Sequence, residues 1–212
     1  LDDIKQIKNT AGGTVNDAVL AICAGALRRY LMDKDELPEE PLVSMCPISI
    51  RDPKSTSNVG NQVVSMTIPL HTNIEDPLER LAAICAATRE AKEATHAVDA
   101  KSMMEMADFI PTQLSTLGAR VAAENGLANF VAPAVNTVIT NVPGSQVPFY
   151  SNGAALVRGW GLGPPTDGNG LFHSIGSYCG ELFIGITCCR AMMPDPAHYA
   201  ACLEDSFREL KG

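Results

Sequence analysis

The sequence is poor in aromatic and basic residues, and it contains no long apolar run. Aromatic residues make up 5% of the 212 positions, so we expect an interior of aliphatic side chains and methionine. The chain holds 16 Lys and Arg against 24 Asp and Glu, a net charge of -8. This balance argues against nucleic-acid binding, which usually needs a clustered basic face. No apolar stretch reaches the roughly 18 residues that a membrane-spanning helix needs.

Several motifs of metal and nucleotide chemistry are also missing. The sequence has no HExxH, no paired CxxC, no EF-hand loop, no P-loop and no GxGxxG, and it lacks the GxSxG of a nucleophile elbow. We therefore expect no metal site. The seven cysteines, an odd number without paired spacing, favour a reducing cytoplasm over a disulfide framework.

The clearest local feature that is present is the start of a helix at Thr14. Thr14 is the expected N-cap, and Asp17 stands three residues later, where it completes a short-armed capping box. Apolar residues then recur at three-and-four spacing. They are Val15, Ala18, Val19, Ile22, Cys23, Ala26, Leu27 and Tyr30. At about 100° per residue, Asn16 falls at the margin of this face and Asp17 nearly opposite it. We therefore expect Asn16 to be partly buried, whereas the helix terminus alone explains Asp17.

The remaining pattern predicts a mixed α/β fold in a single domain, with helices packed on a sheet. Strands are predicted at 42–50, 62–71, 135–140, 154–160, 171–178 and 182–188. Helices are predicted after Asp76-Pro77 and Asp195-Pro196 and across 101–118 and 119–130. Turns are predicted at 58–61 and 141–144, and Cys179-Gly180 is expected to close a hairpin.

Candidate catalytic groups are few, because none of the four histidines stands in a catalytic motif. His173 is the most interesting, since it lies in a predicted strand next to the Gly-rich segment, residues 159–170. A hydrogen-bonded strand histidine is the alternative to a catalytic one. A second feature is an apolar face at helical spacing, formed by Met103, Met106, Ala107, Ile110 and Leu114. The residues by themselves give no complete catalytic constellation.

The order of several short motifs adds more specific information. They are Thr14–Ala21, Gly25–Leu31, Pro47–Arg51, Gly60–Gln62, Asn141–Gly144, Ser177–Gly180 and Pro194-Asp195. In this order the chain resembles the C-terminal half of the bacterial wax ester synthase/acyl-CoA:diacylglycerol acyltransferases. The resemblance implies the second lobe of a chloramphenicol-acetyltransferase-like fold, in which two related α/β lobes enclose a tunnel. Residues 1–212 would form this lobe, and because Leu1 is not a start methionine we expect a first lobe elsewhere in the protein.

The resemblance also implies a reaction. The family's HHxxxDG motif belongs to the first lobe, and nothing here matches it, since His96 lacks a preceding histidine. The second histidine of that motif would act as the general base on a fatty alcohol or diacylglycerol, which attacks acyl-CoA. No cofactor is required, with acyl-CoA as substrate. The expected partners are the first lobe and the lipid substrates, in the cytoplasm. Contact with a membrane or lipid inclusion stays open, because the lipid substrates partition into bilayers.

Finally, the resemblance assigns supporting and tunnel positions within this chain. Asn16 and Asp17 match the family's ND motif and are expected to support the site across the lobe boundary, with Asn16 facing the interior. The candidates for the tunnel wall or the lobe contact are Met103, Met106, Ala107, Ile110, Asn141, Pro143, Gly144 and His173. Two alternatives remain open: another enzyme of this fold, polyketide-associated or of condensation type, and a non-catalytic lipid-binding or scaffolding module.

Overall fold

The computed structural model describes residues 1–49, 63–97, 135–166 and 168–212, which form helices on a mixed sheet. The helices are α1 (Asp2–Thr10), α2 (Val15–Met32), α3 (Pro77–Ala97) and α4 (Pro196–Lys211). The strands are β1 (Val43–Ser49), β2 (Val63–Pro69), β3 (Thr137–Val142), β4 (Tyr150–Ser151), β5 (Ala154–Ala155), β6 (Leu171–Tyr178) and β7 (Glu181–Cys188). The predicted α/β class and mixed sheet are confirmed.

Five strands make the main sheet, in the order β2-β1-β3-β6-β7. The central neighbours β1, β3 and β6 run parallel, whereas the two outer pairs are antiparallel. The β6–β7 hairpin turns at Cys179-Gly180, since Tyr178 pairs with Glu181, as predicted. Both residues of this turn have positive φ, which is the signature of the tight hairpin turns that suit twisted strands.

Helix α2 is buried on every side rather than along one face. The apolar spacing predicted a single stripe, but residues 17–27 are all buried. The reason is that α1, α3 and α4 all pack against this one helix. A helix that is apolar around its whole circumference is expected at the centre of a core. Where α2 packs against α4, a Cβ on Gly25 would overlap the Ser206 hydroxyl, so only glycine fits there.

The two faces of the sheet differ in what covers them. On β6, Leu171, His173 and Ile175 are buried, while the alternating residues are half-buried. His173 touches Tyr199 of α4, which places the helix layer on the first face. The opposite face of β6 is crossed by the Gly-rich segment, whose Gly161 carbonyl accepts a hydrogen bond from Ser174.

This crossing explains why the predicted strand at 154–160 is wrong. Only Ala154–Ala155 pairs, in a two-residue hairpin with Tyr150–Ser151. The chain beyond it crosses the sheet face instead of adding a strand to an edge. Strand-favouring side chains alone do not form a strand when the backbone has no partner strand to pair with.

Three helix predictions need correction. The first helix was expected at Thr14, yet α1 precedes it and buries Ile4 and Ile7. On α3 the spacing predicts an apolar stripe of Leu78, Leu81, Ala82, Cys85 and Thr88. Leu81, Cys85 and Thr88 are buried as predicted, but Leu78 is 53% exposed, Ala82 is exposed, and Ile84 is buried in addition. Helix α4 begins after Asp195 as predicted, but that carboxylate makes no capping hydrogen bond.

The Asp195 carboxylate has other partners, which tie α4 to α2. It accepts hydrogen bonds from the Tyr30 hydroxyl and from the Lys34 ammonium group, the latter at 2.9 Å. Burial, followed by the hydrogen bond to Asp195, raises the pKa of Tyr30 above its usual value. The helical spacing of Tyr199, Cys202, Leu203, Phe207 and Leu210 predicts an inward apolar stripe on α4. This prediction is confirmed, since four of them are buried and Phe207 is half-buried.

Among the described residues, no single helix is long and apolar enough to cross a membrane. Helices α1 and α2 are long and apolar enough only when taken together, and the two helices meet at a bend of 88°. The turn predicted at 58–61 and the helices predicted at 101–118 and 119–130 lie outside the described residues.

Candidate functional site

The start of α2 carries a complete capping box. The Thr14 hydroxyl accepts a hydrogen bond from the Asp17 backbone N–H at 3.3 Å, and the Asp17 carboxylate accepts one from the Thr14 N–H at 2.7 Å. The Thr14 hydroxyl also lies 2.9 Å from the same carboxylate oxygen. The predicted helix start is therefore confirmed in its sequence position and in its hydrogen bonds.

Asp17 does more than cap this helix, which the helical geometry did not predict. It is 3% exposed, and its second carboxylate oxygen accepts a hydrogen bond from Thr88 of α3 at 2.8 Å. Because α3 packs over the side that was expected to face solvent, the carboxylate is enclosed between two helices. A buried carboxylate needs such donors, since desolvation without hydrogen bonds is costly. We therefore correct the expectation that the helix terminus alone explains Asp17.

Asn16 is half-buried at the mouth of α2, which confirms the predicted marginal position. Its role in supporting a site stays a prediction. Asp17 and Thr88 hold the first turn of the helix, and thereby fix where the Asn16 side chain starts. The two polar residues therefore differ: the Asp17 carboxylate is buried and hydrogen-bonded within the chain, whereas Asn16 is half-buried at the helix mouth.

The segment predicted as a turn at 141–144 begins inside strand β3. Asn141 is half-buried and pairs with Ile175, and the strand ends at Val142. Pro143 and Gly144 are exposed. Gly144 does not have positive φ. A Cβ there would overlap the Ser177 carbonyl oxygen, so a close backbone approach is what restricts the position to glycine.

Two motifs that lie far apart in the sequence meet at this point. The Gly144 N–H donates to the Ser177 hydroxyl at 3.1 Å, and the Cys179 N–H donates to the Ser145 carbonyl at 3.0 Å. Gln146 accepts a hydrogen bond from the Gly180 N–H at 3.0 Å. The ends of β3 and β6 are thus locked together at one end of the sheet.

His173 lies in the interior, between β3 and α4. It is fully buried, with Nδ1 3.1 Å from the Thr137 hydroxyl and Nε2 2.7 Å from the Tyr199 hydroxyl. Burial lowers its pKa to about 4, so the ring is neutral at pH 7. This geometry favours the hydrogen-bonded strand histidine over a catalytic one. The tunnel candidates Met103, Met106, Ala107 and Ile110 lie outside the described residues.

An apolar groove of about 660 Å³ runs along the outer edge of β7. Its apolar walls come from four elements: Ile4, Ile22, Leu182, Phe183, Ile184, Ile186, Leu203 and Phe207. Its rim is charged, with Asp3, Arg158, Glu181 and Glu204. Trp160 closes one side and lies edge-on to Phe183, with 6.0 Å between ring centroids. Sequence reasoning missed this groove, since its walls come from α1, α2, β7 and α4.

Beside the groove lies a second unusual surface, here named the apolar arm, residues 142–162. Eight large apolar side chains on it are exposed: Val142, Val147, Phe149, Tyr150, Leu156, Val157, Trp160 and Leu162. Its polar groups are nonetheless anchored to the β6–β7 hairpin. The Phe149 N–H donates to the Tyr178 hydroxyl at 2.7 Å, and Arg158 pairs with Glu181 at 3.1 Å. The arm therefore keeps these apolar side chains exposed, and exposed apolar surface of this extent marks interaction sites.

Comparison with known proteins identifies the fold. A wax ester synthase/diacylglycerol acyltransferase of Marinobacter aquaeolei VT8 superposes with a TM-score of 0.76 at 32% identity, over 99% of this chain and 46% of that one. A condensation domain of the enacyloxin polyketide synthase superposes with a TM-score of 0.55 at 14% identity, over 99% of this chain and 38% of that one. At that identity the second match shows the fold alone, which is the expected chloramphenicol-acetyltransferase-like fold.

Comparison of sequences gives the family. A Mycobacterium tuberculosis protein named as a diacylglycerol O-acyltransferase is 37% identical over 213 residues, covering all of this chain and 46% of the relative. This chain thus spans about half the length of the curated relatives it matches. Residues 59–211 match the family described as the WS/DGAT C-terminal domain. The chain therefore belongs to the family of wax ester synthase/diacylglycerol acyltransferase C-terminal domains.

Proposed function

We propose that this chain is the C-terminal half of an O-acyltransferase that moves a fatty acyl group from acyl-CoA to a long-chain alcohol or diacylglycerol. The observation that carries the proposal is the relative named as a diacylglycerol O-acyltransferase, 37% identical along the whole chain. The Marinobacter structure, named for both activities, supports the same class of acceptor.

The chemistry divides between two halves of the protein. The family resemblance puts the HHxxxDG histidine on the N-terminal half, where it takes the proton from the acceptor hydroxyl. The hydroxyl oxygen then attacks the thioester carbonyl carbon, the carbon–sulfur bond breaks, and CoA leaves as a thiol after receiving the proton. The thioester supplies the activated acyl group, so this proposal includes no metal or redox cofactor in the reaction.

In this proposal the C-terminal half does not carry the general base. It would position the reacting groups and provide the surface that contacts the N-terminal half. Its buried Asp17 is bonded to Thr14 and Thr88, and so holds the mouth of α2 in place. Asn16, half-buried at that mouth, is proposed to face the reacting groups across the boundary between the halves. Such an amide would position the acceptor or the base without exchanging a proton itself.

The apolar arm is the surface that we propose for the contact with the N-terminal half. Two observations support this: its eight exposed apolar side chains, and its anchoring through Tyr178 and Glu181. A preorganised apolar surface of this kind loses little conformational entropy when a partner covers it. The groove beside it, lined by Phe183 and Ile184, adds an apolar cleft to the same side of the lobe.

The state of the cysteines bears on the cellular location of the protein. All seven are free, as expected for a protein of a reducing cytoplasm. We propose that the enzyme works there and meets its lipid substrates at a membrane or lipid-inclusion surface.

The test uses the full-length protein that contains this chain. It is incubated with a long-chain acyl-CoA and either a fatty alcohol or a diacylglycerol, and release of the CoA thiol is measured together with the ester product. We expect both CoA and ester to form. Replacing the second histidine of the HHxxxDG motif should abolish them. Acyl-CoA binding without release of CoA would instead indicate a lipid-binding module.

The supporting role of Asn16 has its own variant. We expect Asn16→Ala to lower kcat by roughly tenfold or more, in line with the loss of one positioning hydrogen bond. Asn9→Ala, an exposed position on α1, is the matched control and should leave kcat unchanged. Equal kcat values for wild type and Asn16→Ala would refute the role.

A further inference from the structure

Three metal-ligating side chains meet where α2 ends and α4 begins. Asp33 is the C-cap of α2, and His198 and Cys202 stand one turn apart on α4. The His198 Nε2 atom lies 2.9 Å from an Asp33 carboxylate oxygen and 3.9 Å from the Cys202 sulfur. All three ligand atoms lie within 4.8 Å of one another, and within the described ranges no other group of three does so.

The arrangement is not that of a nucleophilic triad. A Cys-His-Asp triad uses both ring nitrogens, one facing the thiol and the other facing the carboxylate. Here the same atom, Nε2 of His198, faces both Asp33 and Cys202. The ring therefore cannot pass a proton from one to the other. Instead all three donor atoms lie within 4.8 Å of one another, as the ligands of a single ion do.

The types and spacing of the donors indicate which ion fits. A tetrahedral zinc site has bonds of about 2.0 Å to nitrogen and oxygen and about 2.3 Å to sulfur, so a nitrogen–oxygen pair lies roughly 3.3 Å apart and a nitrogen–sulfur pair roughly 3.5 Å. The observed separations of 2.9 and 3.9 Å each differ from these values by about 0.4 Å, which a small side-chain movement on binding would remove. A thiolate with an imidazole favours zinc or a similar ion, whereas calcium and magnesium require oxygen ligands.

The three side chains differ in their exposure to solvent. Cys202 is buried, whereas the side chains of His198 and Asp33 are 43% and 56% exposed. An ion there would thus have protein on one side and water on the other. The nearby carboxylate of Asp205 favours a cation, and the neighbouring Arg29 opposes it.

We propose that Asp33, His198 and Cys202 bind a thiophilic divalent metal ion of the zinc class, which joins the end of α2 to the start of α4. On binding, the ion displaces the Cys202 thiol proton, which passes to solvent. A metal–sulfur bond then forms, and bonds to nitrogen and oxygen replace the Asp33–His198 hydrogen bond. The ion would take no part in acyl transfer, because this cluster lies at the other end of α2 from Asn16, roughly 25 Å away for a helix of this length.

The test titrates the full-length protein, freed of metal, with Co²⁺ and then with Zn²⁺. We expect one equivalent of Co²⁺ to bind with a thiolate-to-cobalt charge-transfer band in the near ultraviolet, which Zn²⁺ then abolishes. Cys202→Ser should remove the band, and His198→Ala and Asp33→Asn should each weaken Co²⁺ affinity by at least about tenfold. Zn²⁺ should also raise the Tm of wild type but not of Cys202→Ser.

Two matched controls accompany these variants. Cys179→Ser removes an exposed thiol in the β6–β7 turn, and Asp35→Asn removes an exposed carboxylate two residues beyond Asp33. Both should bind Co²⁺ as wild type does. Binding without a thiolate band, or an unchanged band in Cys202→Ser, would overturn the proposal. If Cys202→Ser fails to fold, the comparison of Asp33→Asn with Asp35→Asn takes its place. Equal Co²⁺ affinities of these two variants would also overturn the proposal.

Discussion

The mouth of α2 and the apolar arm represent opposite kinds of surface in this chain. At the mouth, a carboxylate that could have faced solvent is buried and bonded to Thr14 and Thr88. On the arm, apolar side chains that could have been buried are exposed, Leu162 at 81% and Val157 at 77%. The polar groups at the mouth thus have their partners inside the chain, whereas the eight apolar side chains of the arm stay exposed, even where Trp160 lies edge-on to Phe183.

The first region contains contacts that stabilise the fold of this chain, and the second contains apolar surface that is free to bind a partner. A core helix enclosed by α1, α3 and α4 is stabilised by contacts that the chain makes with itself. An outward apolar arm, held in place by the β6–β7 hairpin, gains stability only when something covers it. Substitutions in the two regions should therefore affect different measurements.

The largest effect is expected in the core. Leu20 is fully buried on α2, so Leu20→Ala leaves a cavity and should lower the free energy of unfolding by about 2–5 kcal/mol. The matched change on the arm, Leu162→Ala, should alter it by less than about 0.5 kcal/mol. Chemical denaturation of the full-length protein measures both. Similar losses from the two variants would contradict the contrast between the regions.

A smaller effect is expected at the mouth of α2. Thr88→Val removes the hydroxyl that donates to Asp17 and leaves a buried carboxylate oxygen without that donor. We expect a loss of about 1–3 kcal/mol in the free energy of unfolding, together with a lower kcat. Thr88→Ser keeps the hydroxyl and should restore most of both. If Thr88→Ser is as damaging as Thr88→Val, the methyl group rather than the hydrogen bond holds the mouth.

The next prediction concerns pH and the interior histidine. Burial lowers the pKa of His173 from 6.5 to about 4 in the folded state, so the unfolded chain binds the proton more tightly. The contribution of His173 to stability is complete above about pH 6.5 and falls as the pH drops toward 4. Between pH 7 and pH 5 the expected loss is roughly 2 kcal/mol.

A comparison with His173→Gln isolates the contribution of His173 to stability, because the glutamine side chain does not titrate between pH 5 and pH 7. The free energy of unfolding is measured at several pH values for wild type and variant. Wild type should lose roughly 2 kcal/mol more than the variant over that interval. Parallel pH profiles would show that His173 is not the titrating group.

The smallest effect on folding is expected on the arm, where the change should appear in association instead. Leu162→Glu puts a charge on the proposed contact surface and should weaken the association of separately expressed halves by about 1–2 kcal/mol. Co-purification at graded concentrations measures it. Leu78→Glu, at a 53% exposed position on α3, is the control and should leave association unchanged. Equal weakening by both would point to a general charge effect.

Much of the fold could be predicted because its signals are local. Strand β6 has the predicted bounds, β7 differs by one residue, and α4 begins after Asp195-Pro196 as expected. Helix α1 escaped prediction because only Ile4 and Ile7 of its nine residues are buried, which is a weak periodic signal. The failed strand at 154–160 had suitable side chains but no partner strand.

The site was less predictable, because its contacts join distant parts of the chain. The Asp33–His198–Cys202 cluster spans 170 positions, and its one local signal is the His198–Cys202 spacing of four on a helix. The groove beside β7 draws its walls from α1, α2 and α4 as well as the strand. The roles of Asn16, Asn141, Pro143 and Gly144 stay predictions.

The sequence by itself determined the helix starts at Thr14 and Asp195, the bounds of β6, the mixed character of the sheet, and the family to which the order of motifs points. Local hydrogen bonds and short-range periodicity carry that information, as the capping box of Thr14 and Asp17 illustrates. Only the tertiary structure decided that Asp17 is buried, that Gly144 lies against Ser177, and that Cys202 meets Asp33. Those outcomes depend on which helix packs over which face. Contacts between residues far apart in the sequence decide this packing, and no local pattern of residues contains that information.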